Sequence, residues 1–440
     1  MDHRLHHVRN AHSIKIKKGE IVKNDYTGPL WPALLVCCAP SLVWAEDSDF
    51  FKDSTATLQA RNYYFQRNYL DIRGAEKPKA EEWAQGFILN FKSGYTPGPI
   101  GFGIDGIATL GLKLDSGTGR VGTGLLPIKD SGAPADDYSR VGLTLKARVS
   151  KTEFKFGELQ PDIPVLPFSD IRLLPPSYQG ASFSSSEFAG LTLQGGRIKS
   201  TSLRNEAGDE KLTTILGYIP QRKASSDAFN YMGGDYSFNE SHTTVSGWYA
   251  QLEDIYRQSY IGIKHNQALG PWAVTATLAQ YDAVEDGDHL IGDVDNRALY
   301  GTLGIARSGH TLTAGYQKMY GDTGFPRVFA NIAPLANELP TYDFSSQGEV
   351  SYQLRYDYNF AAAGIPGLLF STRYVQGSNV ETGRGYEGKD TERDIDMSYV
   401  IQGGPVKGLG IRLRDAVARS NYRTDIDEYR VVLSYTWKLL

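Results

Sequence analysis

At 440 residues the chain would usually hold two or three soluble domains, although a large β-barrel uses this length as one. Glycine (47) and tyrosine (27) are abundant, methionine (4) is scarce and aromatics reach 12%, which suits β-structure better than helix. The formal charge is −4 and the mean hydropathy −0.36, which excludes a bundle of membrane-spanning helices but not a membrane barrel, whose strands are half polar.

The first 45 residues differ from the rest. Arg4, Arg9, Lys15, Lys17, Lys18 and Lys23 precede the apolar run LWPALLVCCAPSLVWA, which ends at Val43-Trp44-Ala45. A basic region, a short apolar run and a small residue read as a secretory signal peptide over 1–45, cleaved after Ala45. About 15 residues with two prolines are short for a transmembrane span. Both cysteines, Cys37 and Cys38, fall inside it, so the mature chain has no thiol for a disulfide, a catalyst or a metal. Removing the segment leaves 40 basic and 47 acidic residues, a formal charge of −7, which argues against nucleic acid as a partner.

From Thr55 onward the pattern has period two, in segments of roughly 9–13 residues separated by turn residues. In STATLQARNYYF, Ala56, Leu58 and Ala60 alternate with Thr57, Gln59 and Arg61. In EWAQGFILNFKSGY, Trp83, Phe87, Leu89 and Phe91 share one parity. In VGLTLKARVSK, Leu143, Leu145 and Ala147 oppose Thr144, Lys146 and Arg148. In EVSYQLRYDYNF, Tyr352, Leu354 and Tyr356 oppose Gln353, Arg355 and Asp357. The closing segment sets Tyr429, Val431 and Leu433 against Arg430 and Ser434. Such segments number 18, or 19 if GASFS stands alone.

Short connectors (Asn239-Glu240, 363–366, 403–407) alternate with longer polar loops at 116–137, 160–180, 283–296, 322–347 and 377–391. Short turns on one side and long loops on the other are expected of an all-β, transmembrane antiparallel barrel of about 18 strands, one domain over 46–440 in a Gram-negative outer membrane. A propeller would repeat every ~40 residues, and no such repeat is present. Aromatics at segment ends (Tyr63, Tyr64, Phe65, Tyr95, Tyr256, Tyr281, Tyr320) are expected to form the interfacial girdles.

Enzyme signatures are missing. The mature chain holds only His242, His265, His289 and His310, none at metal-ligand spacing, and no G-x-S-x-G elbow or P-loop; no cofactor is implied. The cations on the polar parity are more informative. Arg412 and Arg414 share it with Arg430, Arg373, Arg355, Arg148, Lys146 and Arg61. If the apolar parity meets lipid, these side chains face a water-filled lumen, where low-dielectric walls focus their field on anions. The plainer reading is wall bracing, each arginine paired with an acid such as Asp415, Asp394 or Asp357. The stretch 159–180 carries Pro161, Pro164, Pro167, Pro175 and Pro176 among apolar residues, and is expected to fold inward as a pore-constricting loop. That would bring Asp162, Asp170, Arg172 and Tyr178 to the solute.

The runs EEWAQGFILNFKSGYTPGPIGFGIDGIATLGLKLDSGTG, GTGLLP, DDYSRVGLTLKARVSKTEFKFGELQP, SSEFAGLTL, AQLEDIYRQSY, QKMYGD, RYDYNFAAAGIPGLLFSTRYVQG, YVIQGGPVKGLGIRLR and YRVVLSY cover nearly all of the mature chain. In them the chain resembles the OprD (Occ) family of substrate-specific outer-membrane channels of pseudomonads. The resemblance implies a monomeric 18-stranded barrel, inward-folded loops and a ladder of basic residues on one wall. It also implies small carboxylated solutes, with basic amino acids and peptides in one branch, acidic or aromatic carboxylates in the other, and carbapenems as passengers of some members. The ladder falls on Arg412, Arg414 and Arg430, and the loop arginine on Arg172 in DIRLLPP. An eyelet aspartate falls on Asp343 in TYDF, but the tyrosine expected two residues earlier is Thr341, with Tyr342 adjacent. Ser398 stands where some members have a ladder lysine. These departures favour small anionic carboxylates, with outer-membrane lipid and lipopolysaccharide as surroundings. A basic amino acid, peptide and carbapenem channel, a barrel enzyme or adhesin, and a general porin are the alternatives.

Overall fold

The computed structural model describes residues 49–70 and 77–440. The signal peptide expected over 1–45 lies outside them. After the short helix α1 (Asp49–Lys52) come β1 (Thr55–Tyr69), β2 (Lys79–Lys92), β3 (Gly101–Asp115), β4 (Asp137–Val149), β5 (Thr152–Leu159), β6 (Ser177–Ser185) and β7 (Leu191–Ser202). Then follow β8 (Leu212–Leu216), β9 (Ile219–Ser226), β10 (Phe229–Phe238), β11 (Thr243–Leu252), β12 (Tyr256–Leu269), β13 (Trp272–Glu285), β14 (Asp295–Arg307) and β15 (His310–Tyr320). The chain ends with β16 (Pro326–Val328), β17 (Val350–Asn359), β18 (Leu368–Glu381), β19 (Glu387–Val400), β20 (Gly410–Ser420) and β21 (Ile426–Lys438).

Eighteen of these strands form one antiparallel meander that closes when β21 pairs with β1, from Thr57↔Lys438 to Tyr69↔Ile426. Closure satisfies every sheet edge, the condition for strands in hydrocarbon. The remaining three, β8, β9 and β16, form a small separate sheet that joins loop 203–228 to loop 321–349, with Pro326 opposite Leu216. GASFS is part of β6, so the count is 18 and not 19.

Period two decides which face each residue takes. Val141, Leu143 and Leu145 of β4, Ile261 and Ile263 of β12, Leu303 and Ile305 of β14, and Tyr352 and Leu354 of β17 are exposed on the outer face. Their neighbours Thr144, Gln258, Ser351 and Gln353 are buried on the inner one. Two of the expected long loops are shorter. The 283–296 loop is reduced to 286–294, and most of 377–391 is strand, with a bulge between Gly377 and Val380. The upper ends of these strands carry polar residues on both parities, so alternation fades there while the backbone ladder continues.

The expected girdle is corrected in part, although Tyr320 does lie exposed on the outer face. Tyr63, Phe65, Tyr256 and Tyr281 are buried, and they belong to clusters with residues of the inward-folded loops. Tyr95 sits in the 93–100 turn beneath Arg148. The aromatics that do face outward include Tyr352, Tyr374, Tyr429, Trp272 and Trp437.

The parity assignment makes a prediction. Leu303→Arg places a charge on the lipid face near mid-strand and should cost about 2–4 kcal/mol in barrel unfolding by denaturant in a bilayer. Thr302→Arg, one residue along and facing the lumen, should cost much less.

Candidate functional site

Three loops fold into the barrel because both the loops and the wall beneath them are built for it. Leu125 and Leu126 of loop 116–136 join Leu173 and Leu174 of loop 160–176 on a patch of inward residues, Tyr63, Phe65, Ala84 and Ile88. Burying leucines of this kind stabilises by roughly 1.5–3 kcal/mol each. Ile163, Val165 and Leu166 of loop 160–176 pack in a second cluster with Tyr178, Tyr256 and Tyr281.

Inward carboxylates and guanidiniums then fix the loop backbones. The buried Glu82 carboxylate accepts from the amides of Gly122 (3.4 Å) and Leu125 (3.2 Å) and from the Thr123 hydroxyl. Glu392 accepts from the amides of Thr341 (3.0 Å) and Tyr342 (2.6 Å) in loop 321–349. Arg61 donates to Asp170 (2.6 and 2.7 Å) and to the Arg172 carbonyl (2.7 Å). Arg67 and Arg430 each donate to the Pro340 carbonyl at 3.3 Å.

Below these loops lies a cavity of about 810 Å³ along β17–β21 and β1, reaching down to the short turns at Gly309, Asn359 and Gly410. Seven arginines line it (Arg61, Arg172, Arg355, Arg373, Arg412, Arg414 and Arg430) against four aspartates (Asp170, Asp357, Asp394 and Asp396). The aspartates are shared. Asp396 takes both Arg412 and Arg414, each at 2.8 Å. Asp357 takes Arg355 at 2.7 Å, and Asp394 faces Arg373 at 3.6 Å. Glu428, fully buried, serves Arg430 and, at 2.6 Å, Arg67. Asp394 and Asp357 are thus the neighbours expected of them, whereas Asp415 pairs with Arg393 on β19 instead.

Arg172 is the exception. It is buried and donates to the carbonyls of Thr123 (3.1 Å) and Ile171 (3.0 Å), but no described carboxylate lies within ion-pair reach. Burial, together with the nearby guanidiniums of Arg430, Arg204 and Arg67, pulls its pKa well below the ordinary arginine value. Three guanidiniums surround the Phe65 ring, those of Arg430, Arg172 and Arg67 at 4.4, 5.0 and 5.1 Å from its centroid.

Six of the expected residues therefore come together: Arg412, Arg414, Arg430, Arg373, Arg355 and Arg172. The other five do not line this cavity. Lys146 is buried, ion-paired with Asp105 at 2.6 Å and donating to the Ser93 carbonyl at 2.7 Å. Gly103 makes room for it, since a Cβ there would stand 2.6 Å from Lys146 Cε. Arg148 stacks over Tyr95 at 4.2 Å, near the end of β4. Asp343 is held by Arg327 at 2.7 Å and by Arg423 at 3.6 Å. Tyr342 is buried and donates to the Thr424 carbonyl at 2.7 Å. Tyr178 is buried in the apolar cluster. Parity gave the facing of Lys146 and Arg148, the proline-rich stretch suggested Tyr178 and the resemblance Asp343 and Tyr342, but strand position around the ring and loop packing decide which residues reach the open space. Asp396 was not anticipated; its alternation with Asp394 on the inner face of β19 is the signal that could have found it. A second cavity of about 390 Å³, on the β2–β7 wall, is lined by Asp105, Glu153, Glu158 and Asp162 with Lys92 and Lys155.

Residues 48–439 match the family described as outer membrane porin, OprD family. The chain is 41% identical over 416 residues to the porin-like protein GalP of Pseudomonas putida, covering 94% of this chain and 98% of that protein. Its fold superposes on the crystal structure of Pseudomonas aeruginosa OccK9 (OpdG) with a TM-score of 0.86 at 46% identity, covering 89% of this chain and all of that one. It superposes on Pseudomonas aeruginosa OpdK, solved with vanillate, with a TM-score of 0.83 at 42% identity, covering 88% and 100%. A closed 18-stranded barrel with inward-folded loops, matched over this length, makes the chain a member of the OprD family of outer-membrane porins.

Proposed function

We propose that this porin carries small carboxylates by facilitated diffusion along its arginine-lined wall, with loop 160–176 narrowing the path, and that it performs no chemistry of its own. The observation that carries the proposal is the charge imbalance of the main cavity, seven arginines against four aspartates. OpdK was solved with vanillate, an aromatic carboxylate, which supports the same solute class here.

The mechanism is exchange of partners. An exposed arginine–carboxylate pair contributes about 0–1 kcal/mol, so a visiting carboxylate can replace an aspartate at little cost. Arg412 is about half exposed and already shares Asp396 with Arg414, so it is available to a second carboxylate. The planar fork of arginine accepts a carboxylate in a bidentate manner and keeps its charge when partly desolvated. Arg172, which pairs with no described carboxylate, gains a direct counter-charge from an anion beside it. Each contact attracts without trapping, as conduction requires. The carboxylate-rich second cavity favours one further reading, in which the solute also carries an amine.

Opposite substitutions separate transport from bracing. Arg412→Ala with Arg414→Ala should slow uptake of a labelled carboxylate into liposomes by roughly two- to tenfold, while a neutral sugar is unaffected. Asp396→Asn releases both guanidiniums and should raise carboxylate uptake; a fall would make the pairs mere braces. Raising the salt from about 0.1 M to about 1 M shortens the Debye length from ~10 to ~3 Å. Carboxylate flux relative to sugar should then fall. Preferential uptake of arginine or lysine over benzoate in the same panel would favour the amine-bearing solute.

A further inference from the structure

Arg423 stands in loop 421–425, between β20 and β21, away from the arginine-lined cavity. Its side chain is about nine-tenths buried. The guanidinium carbon lies 3.6 Å from the ring centroid of Tyr342 and 5.3 Å from those of Tyr218 and Tyr422. Its nitrogens meet Asp390 of β19 and, at 3.6 Å, Asp343. Burial alone would lower its pKa; Asp390, Tyr422, Asp343 and Glu349 more than reverse this, and it stands above the ordinary arginine value.

The walls of this cage come from separate parts of the chain. Tyr218 belongs to loop 203–228, Tyr342 and Asp343 to loop 321–349, Tyr422 to the loop of Arg423 itself, and Asp390 to the barrel wall. Further bonds tie the same parts together. Tyr342 donates to the Thr424 carbonyl at 2.7 Å, and Tyr422 donates to Asp390 at 2.8 Å. Arg327 donates to the Gly217 carbonyl at 3.0 Å and to Asp343 at 2.7 Å. The segment held here, Tyr342–Asp343, begins two residues beyond Pro340, whose carbonyl receives Arg430 and Arg67 of the wall.

We propose that Arg423 is a positioning residue that holds loop 321–349 over the lumen, its guanidinium acting as a captive cation in a cage of three tyrosines and two carboxylates. A cation flanked by aromatic faces is attracted by their quadrupoles, and this attraction strengthens as water is excluded. The arrangement suits a planar cation that lies flat on a ring while its fork of nitrogens reaches two carboxylates, a geometry that a compact ammonium matches less well. Tyr218 is more than a third exposed, so one wall of the cage borders solvent.

The test reads single-channel ion conductance in a planar bilayer and does not depend on which solute is carried. Arg423→Ala should raise the conductance roughly 1.5-fold and add flicker, because the loop is no longer pinned. Millimolar guanidinium on the loop side should return the variant to wild-type conductance and leave the wild-type channel unchanged. Arg423→Lys should lie nearer to Arg423→Ala than to wild type. Tyr218→Leu removes one wall, keeps both ion pairs and should give a smaller rise, which covers the case in which Arg423→Ala does not assemble. An unchanged conductance in Arg423→Ala, a rise that guanidinium does not reverse, or a Tyr218→Leu channel identical to wild type overturns the assignment.

Discussion

Every barrel strand here separates two solvents. One face must satisfy hydrocarbon and the other water, and the backbone between them must leave no bond unmade. With a side-chain period of two, that condition sorts residues before any packing is considered. It places Leu413, Val431 and Leu433 against lipid and leaves Arg412, Arg414 and Arg430 inside. A cation on this wall has no bulk solvent behind it. Its field is confined to the lumen, and its partners must come from neighbouring inward positions.

The inner wall is not uniformly polar. Around β1 it becomes aromatic, and there the loops come down. The wall thus has two kinds of inward surface, one that holds water and ions and one that holds protein. Loop 160–176 touches both. Leu173 and Leu174 cover the aromatic patch, while Asp170 and Arg172 turn to the cavity. Position along one short segment decides which residues support the loop and which face the cavity.

The fold was legible in the sequence because alternation is local. Strand number, facing and closure follow from residues read in pairs, and the inward arginines of β17, β18, β20 and β21 were found that way. Alternation does not report height or angle. Lys146 and Arg148 have the right parity, but β3, β2, β1 and β21 separate their strand from β20, and they meet Asp105 and Tyr95 instead. Tyr63 and Phe65 were assigned to the membrane interface from their place near a strand end. What reversed that was burial beneath Leu173 and Leu174, some 110 residues further along the chain and invisible to any local pattern. The resemblance puts an eyelet aspartate at Asp343, yet Arg327 and Arg423 occupy it.

The seam of the barrel has a consequence for how it is made. Thr57 pairs with Lys438, so the two ends of the folded chain meet in one ladder. Until the last thirteen-residue strand arrives, β1 and β20 each present a bare edge able to recruit any other strand. Joining positions this far apart carries the largest loop-closure entropy in the molecule and adds to a high contact order. Closure is therefore a late step that no partial chain can achieve, and the unpaired edges must be kept from one another in the meantime. Assembly of this protein is limited less by forming any hairpin than by bringing its first strand to its last.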